Sequence, residues 1–147
     1  MSKLSITILC IALISFICIG CAAEKEIKIT IGKGILMDKV GYSEAQPGKT
    51  YLVLPLQFEN LGYDSIDYNP WYCKVTVDNV KYNTAFIGYS LAGIGYPSLE
   101  DAVTLNNGGK IKGHLGFEVP KGITNYEFVF EPISFFGGYN IVYTTEE

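Results

Sequence analysis

His114 is the only histidine in the chain, and there are four thiols: Cys10, Cys18, Cys21 and Cys73. Proton transfer near neutral pH usually needs an imidazole or a perturbed group beside the reacting bond, so catalysis turns on where His114 sits. It stands on the polar side of an alternating run with Lys112 and Glu118, where a solvated histidine is the simpler expectation. Cys73 falls in phase with Trp71, Val75 and Val77 and reads as a small buried hydrophobe, not a nucleophile. None of Ser43, Ser65, Ser90, Ser98 or Ser134 carries the glycine pattern of a nucleophile elbow. One imidazole and one inward thiol cannot build a four-ligand zinc or copper site. Calcium would take the hard oxygens of Asp64, Asp67, Asn60 and Asn69, or of Glu100-Asp101, but their spacing matches no recognised loop motif and solvated turns account for them. The expectation is a non-enzyme with no metal and no cofactor.

Cys21 is a different kind of reactive residue. Lys3 precedes an apolar run from Leu4 to Ile19, which closes on Gly20-Cys21-Ala22-Ala23. That pattern reads as an export signal ending in a lipid-attachment cysteine: residues 1–20 removed, Cys21 acylated, residues 21–26 a tether, and residues 27–147 a domain outside the cytoplasm. Cys18 stands where such signals usually carry Leu. The alternatives are an uncleaved anchor, since Leu4 to Ala23 is about the 20 residues needed to span a hydrocarbon core, and a secretory signal cut elsewhere. More than one acyl chain gives stable tethering, where a single chain holds only reversibly. The expected location is the extracytoplasmic face of the cell membrane.

Past Cys21 the chain carries all 15 carboxylates and ten of the 11 cations, a formal −5, and every cation in the chain is Lys. Without the arginine fork that grips phosphate, and with a surface that repels polyanions, nucleic acid is excluded as a partner. The same balance argues against a polybasic lipid-binding face. Cys73 is the one thiol left in the body, so no internal disulfide forms and stability must come from an apolar core.

That core requires strands. Ile27 to Ile31 alternates apolar and polar, as do Leu52, Leu54, Leu56 and Phe58 against Tyr51, Val53, Gln57 and Glu59, and Trp71, Cys73, Val75 and Val77 against Tyr72, Lys74, Thr76 and Asp78. A period of two is a strand with one buried face. Asp78-Asn79 reads as a tight hairpin turn leading into Val80 to Phe86. Ile111 to Val119 is a further strand that Pro120 stops; Tyr126, Phe128 and Phe130 form another, and Tyr139 to Tyr143 the last. Only Ser98 to Val103 has the look of a short helical turn. Seven to eight short strands between Gly, Pro and Asn turns predict an all-β antiparallel sandwich of the immunoglobulin-like kind. Pro55, unable to donate to a ladder, predicts an edge or a bulge in its strand.

The succession Gln46-Pro47-Gly48-Lys49, Tyr51 to Phe58 with Glu59-Asn60, the aromatic strand at Trp71, then Gly108-Gly109, Gly113 and Phe117-Glu118-Val119-Pro120 resembles the domain of unknown function 4352 family over roughly Ile27 to Tyr143. The resemblance implies exported, often lipid-anchored proteins and an immunoglobulin-like sandwich of the type seen in a mycobacterial secreted immunoprotective antigen. It supplies no catalytic or binding residues.

The remaining signal is aromatic. Tyr63, Tyr68, Trp71 and Tyr72 approach one strand, and Tyr82, Tyr89 and Tyr96 follow within a Gly-rich stretch. Tyrosine mixed with Gly, Ser and Asn is the composition of adaptable recognition loops, although strand tyrosines also serve structure. Trp71, by phase, belongs to the core. In Ile87 to Pro97 the residues Tyr89, Leu91, Ile94 and Tyr96 are too apolar for a solvated loop and form the candidate binding surface: they pack over a sheet edge or meet a partner. The readings in order are a lipid-anchored module binding another envelope protein or an extracellular ligand, a carbohydrate or cell-wall binding module that needs an accessible Trp71, and a small hydrolase.

Overall fold

The computed structural model describes residues 23–134 and 137–146. The export signal and Cys21 lie outside them. Along the chain run β1 (Glu26–Ile31), β2 (Ile35–Met37), a two-strand hairpin of β3 (Lys39–Val40) and β4 (Ser43–Glu44), and the long β5 (Lys49–Leu61). Then come β6 (Ser65–Tyr68), a 3₁₀ turn Pro70–Tyr72, β7 (Cys73–Val77), β8 (Val80–Asn83) and a short helix, α1 (Gly88–Gly93). The chain closes with β9 (Val103–Asn106), β10 (Lys110–Pro120), β11 (Glu127–Phe130) and β12 (Ile141–Thr145).

The main sheet has the order β10-β5-β1-β12, with β2 also on β5; β11-β7-β8 faces it, and β6 pairs with β9 along the rim. Alternating side chains from both sheets interlock between them: Ile27, Ile29, Leu54, Phe58, Leu115 and Phe117 from one, Cys73, Val75, Phe128 and Phe130 from the other. Phe58 is the centre of this core, its ring 4.8 Å from Tyr68 and 5.1 Å from Phe130. The expected all-β sandwich is therefore present. Its hairpin turn is as anticipated, with Asp78 and Asn79 both at positive φ (48° and 64°), the conformation that matches the twist of the strands it joins.

Several details differ from the sequence reading. Short strands that carry too few residues to show a period raise the number above seven or eight. The sheet is also not wholly antiparallel, because β12 runs parallel to β1, Ile27 opposite Ile141 through Ile31 opposite Thr145. Pro55 does not mark an edge, since β5 is flanked on both sides. It stands opposite His114, whose amide turns away to the Pro97 carbonyl at 2.7 Å, while the Pro55 carbonyl accepts from Gly32 N–H on the other side. The missing donor thus faces the gap where β2 has ended its pairing at Val53 and β1 begins at Leu56, a place with no ladder acceptor to lose. Ser98 to Val103 is not helical: Leu99 N–H bonds the His114 carbonyl at 3.0 Å, so its backbone is satisfied by the edge of β10. The helix lies instead at Gly88–Gly93, a segment bounded by two glycines and without a side-chain cap. Propensity does not explain it; burial of Leu91 does.

Tyr51 and Val53, expected on the outward face, are buried. With Val40, Ile87 and Leu91 they form a second apolar cluster on the outer side of the main sheet. The stretch Thr50 to Leu54 is buried at every residue, and alternation begins only at Pro55. The unbroken apolar run Tyr51-Leu52-Val53-Leu54 carries this information, because a strand covered on both faces loses its polar alternation. Gly116 makes room for the cover: a Cβ there would stand 2.5 Å from Ile87 Cδ1.

Candidate functional site

The second cluster fixes the position of the aromatic segment. Leu91 enters it and is fully buried, which removes it from the candidate binding surface. Tyr96 packs against the same cluster and meets the His114 imidazole edge to face at 4.7 Å. Tyr89 and Ile94 remain outside. The segment therefore packs over the sheet with one side and shows solvent the other, as a two-turn amphipathic piece must once Leu91 is anchored.

Against that exposed side leans the β3–β4 hairpin. Ser43 and Ser90 hydroxyls share a hydrogen bond at 2.9 Å. Gly41, at the hairpin tip with φ 55°, would bring any Cβ within 3.0 Å of the Ser90 carbonyl, so glycine is needed both for the turn and for the approach. Hairpin and helix enclose a groove of about 500 Å³ lined by Tyr42, Tyr89, Ile94 and Ser90. Tyr42 is 92% exposed and Tyr89 88%. Sequence reasoning passed over Tyr42, since it stands alone between Gly41 and Ser43 with no periodic neighbour; only the docking of the hairpin brings it to Tyr89.

Beneath α1 sits Glu100. A Cβ on Gly88 would lie 2.4 Å from its Oε2, and its Oε1 is buried without a hydrogen-bond partner. Burial raises the Glu100 pKa above the usual carboxylate range, and the Gly88 and Ile87 amides at the start of α1 partly counter this.

A second aromatic feature corrects the placement of Trp71. It is 62% exposed, not in the core, because Pro70 and the Asn69 side chain, which accepts from Trp71 N–H at 3.0 Å, turn the chain into a 3₁₀ bend before β7 starts. The two-residue phase does not extend through such a turn. Its ring packs against Phe86 with centroids 4.7 Å apart and a 44° tilt, and Phe86 holds φ at 52°, an unfavourable conformation for a bulky residue. Tyr72, the next residue, packs on the core.

The groups considered for chemistry lie apart from one another. His114 Nδ1 lies 3.1 Å from the Pro97 carbonyl. Cys73 is buried, its thiol pushed up to about 12 by desolvation. Asn60 is buried and bonds the Tyr63 and Leu105 carbonyls at 2.9 Å each; Asp67 accepts from the Thr104 hydroxyl at 2.8 Å. These side chains are engaged in tying the end of β5 and the β6–β9 pair together. Among the described residues no three His, Cys, Asp or Glu side chains gather as a metal site, and no helix is long and apolar enough to cross a membrane.

Two packed sheets with a core between them and a second apolar cluster on the outer face of the larger one define an all-β sandwich domain. The chain belongs to the family described as Domain of unknown function (DUF4352), whose model matches residues 22–141. Two solved structures from Bacillus subtilis share its fold. One is a candidate lipoprotein, ycdA, with a TM-score of 0.55 and 17% identity over 78% of this chain. The other is the yjhA protein, with a TM-score of 0.52 and 23% identity over 75% of this chain. The chain spans 35% of the length of the first and 78% of the second. No curated protein matches.

Proposed function

We propose that the chain is a lipid-anchored, extracytoplasmic and non-catalytic module whose Tyr42–Tyr89–Ile94 groove binds another envelope protein. The observation that carries this reading is the pair of almost fully exposed tyrosines, Tyr42 at 92% and Tyr89 at 88%, beside Ile94 on two elements locked together by Ser43 and Ser90. Tyrosine gives large contact area at low side-chain entropy and a polar tip that tolerates solvent, and aromatic anchors in a pocket commonly supply most of the energy of a protein interface. Export and anchoring rest on the apolar run and Cys21, and the candidate-lipoprotein neighbour supports them. The acidic surface and absence of arginine favour a protein over a nucleic acid. The non-catalytic reading is supported by the inward Cys73 and by the tie between His114 and Pro97.

One observation favours carbohydrate as a second reading: Trp71 is exposed, with Phe86 packed beside it at a tilt, an aromatic surface of the kind that lies against a pyranose face. A proximity-labelling comparison of the wild type with Tyr42→Ser/Tyr89→Ser and with Trp71→Ala separates the two. Loss of a labelled protein in the tyrosine variant alone supports the groove. Unchanged labelling there, with loss of cell-wall retention in Trp71→Ala, transfers the function to the tryptophan.

A further inference from the structure

The place where the chain enters the sandwich has its own aromatic surface. β1 starts at Glu26, opposite Leu61 at the end of β5. Just before it the Lys25 ammonium lies 5.9 Å above the Tyr63 ring. Tyr63 meets Tyr139 edge to face at 5.1 Å, and its hydroxyl accepts from Asn140 N–H at 2.8 Å. The Asn140 carbonyl accepts in turn from Ile27 N–H at 2.8 Å. Tyr63, Tyr72, Tyr139 and Ile133 line a groove of about 440 Å³, and Ile133 is 62% exposed. Tyrosines with one face packed and one wet, beside an exposed aliphatic residue, suit the boundary between headgroups and acyl chains.

Length then decides what covers this end. From Cys21 to Glu26 the chain is about five residues, and at roughly 3.3–3.6 Å each it reaches at most about 18 Å when fully stretched. An uncleaved span ending at Ala23 leaves even less. The interfacial layer itself is roughly 5–8 Å deep on each side of the hydrocarbon, so a domain on this tether has little room to lift away. The groove at Tyr42 and Tyr89 lies at the other end. It rests on Tyr51 and Val53, eight to ten residues before Leu61 in β5, about 30 Å at strand rise.

We propose that the Tyr63–Tyr139–Ile133 end is a membrane-contact surface that seats the domain on the lipid headgroups and holds the Tyr42–Tyr89 groove away from the bilayer. This rests on the anchored reading of residues 1–22. Glu24 and Glu26 flank Lys25, Asp64 follows Tyr63 and Asp67 lines the groove, so the contact is made by the tether and the apolar and aromatic side chains, not by attraction to anionic lipid.

The test uses the full chain, processed in a bacterial host and reconstituted into phosphatidylethanolamine/phosphatidylglycerol vesicles containing phosphatidylcholine with a nitroxide on its headgroup. In a Trp71→Phe background, which removes the one natural tryptophan, Ile133→Trp and Tyr42→Trp are compared, with Tyr139→Trp as a second reporter at the proposed contact. The expected result is quenching of Ile133→Trp and Tyr139→Trp several-fold stronger than of Tyr42→Trp, and no stronger when the phosphatidylglycerol fraction is raised. Equal quenching, or none, in protein that floats with the vesicles overturns the contact surface while leaving the anchor intact. Protein that does not float, and whose amino-terminal peptide carries neither acyl mass nor the apolar segment, overturns the anchor and the contact surface together.

Discussion

At the scale of single residues, Glu100 shows how one side chain ties stability to the candidate groove. Its carboxyl is pushed above its ordinary range mainly by burial, against the pull of the Gly88 and Ile87 amides. A raised folded pKa means that the folded state holds the proton more tightly than the unfolded one. The stability this group contributes is therefore present below the unfolded carboxyl range and is lost as pH rises through its folded value. Asp38, Glu44 and Glu131 behave in the opposite sense, lowered first by hydrogen bonds from Lys121, Lys39 and Lys81, and they lose stability as pH falls. Comparing Glu100→Gln with the wild type isolates the first effect. Denaturation midpoints measured from acid to neutral pH should show the variant gaining on the wild type as pH rises; a difference independent of pH would contradict the assignment. His114, Cys73 and Trp71 illustrate how unevenly residues can be read from sequence. Cys73 was legible as buried because β7 keeps strict alternation. Trp71 was not, because the 3₁₀ turn Pro70–Tyr72 interrupts the phase immediately before the strand begins at Cys73.

At the scale of elements, α1 depends on its neighbours. A six-residue helix with glycine at both ends is far below the length at which a helix holds itself in water. Leu91, fully buried among Val40, Val53 and Ile87, is what fastens it. Leu91→Ala should destabilise the protein by about 2–5 kcal/mol, the usual range for emptying such a site, with the loss concentrated around α1. Hydrogen exchange gives the check: the amides of Leu91 and Tyr96, bonded to the Ile87 and Leu91 carbonyls at 2.9 and 3.0 Å, should lose protection while those between β5 and β10 keep theirs. Uniform loss across both regions would mean that α1 and the sheet unfold as one unit. The helix was invisible in the sequence because a period of 3.6 needs more than two turns to register. The hairpin turn Asp78-Asn79 was visible because residues tolerant of positive φ announce their geometry directly.

At the scale of the molecule, β5 organises everything. Its 13 residues carry the inter-sheet core on one face, the second cluster on the other face of its first half, and pairing with β1 at its far end. The end where the chain enters the sandwich and the groove side are thus opposite ends of one strand. Phe58, whose ring touches Tyr68, Phe128 and Phe130, joins the two sheets, and Phe58→Ala should cost about 3–5 kcal/mol as a large-to-small core change. Denaturant unfolding followed by far-ultraviolet circular dichroism measures it; a loss below about 1 kcal/mol would show that the core refills the site.

The sequence by itself determined the all-β class, the long strands, the hairpin turn, the inward Cys73, the acidic character and the resemblance to the family, since each is written in local alternation, turn chemistry or composition. Tertiary structure alone decided that Leu91 is buried while Tyr89 is exposed, that Tyr42 joins Tyr89, that Trp71 faces solvent and that β12 runs parallel to β1. These depend on which distant segment lies over which face. Alternation records that a side chain is covered, but it holds no information on what covers it.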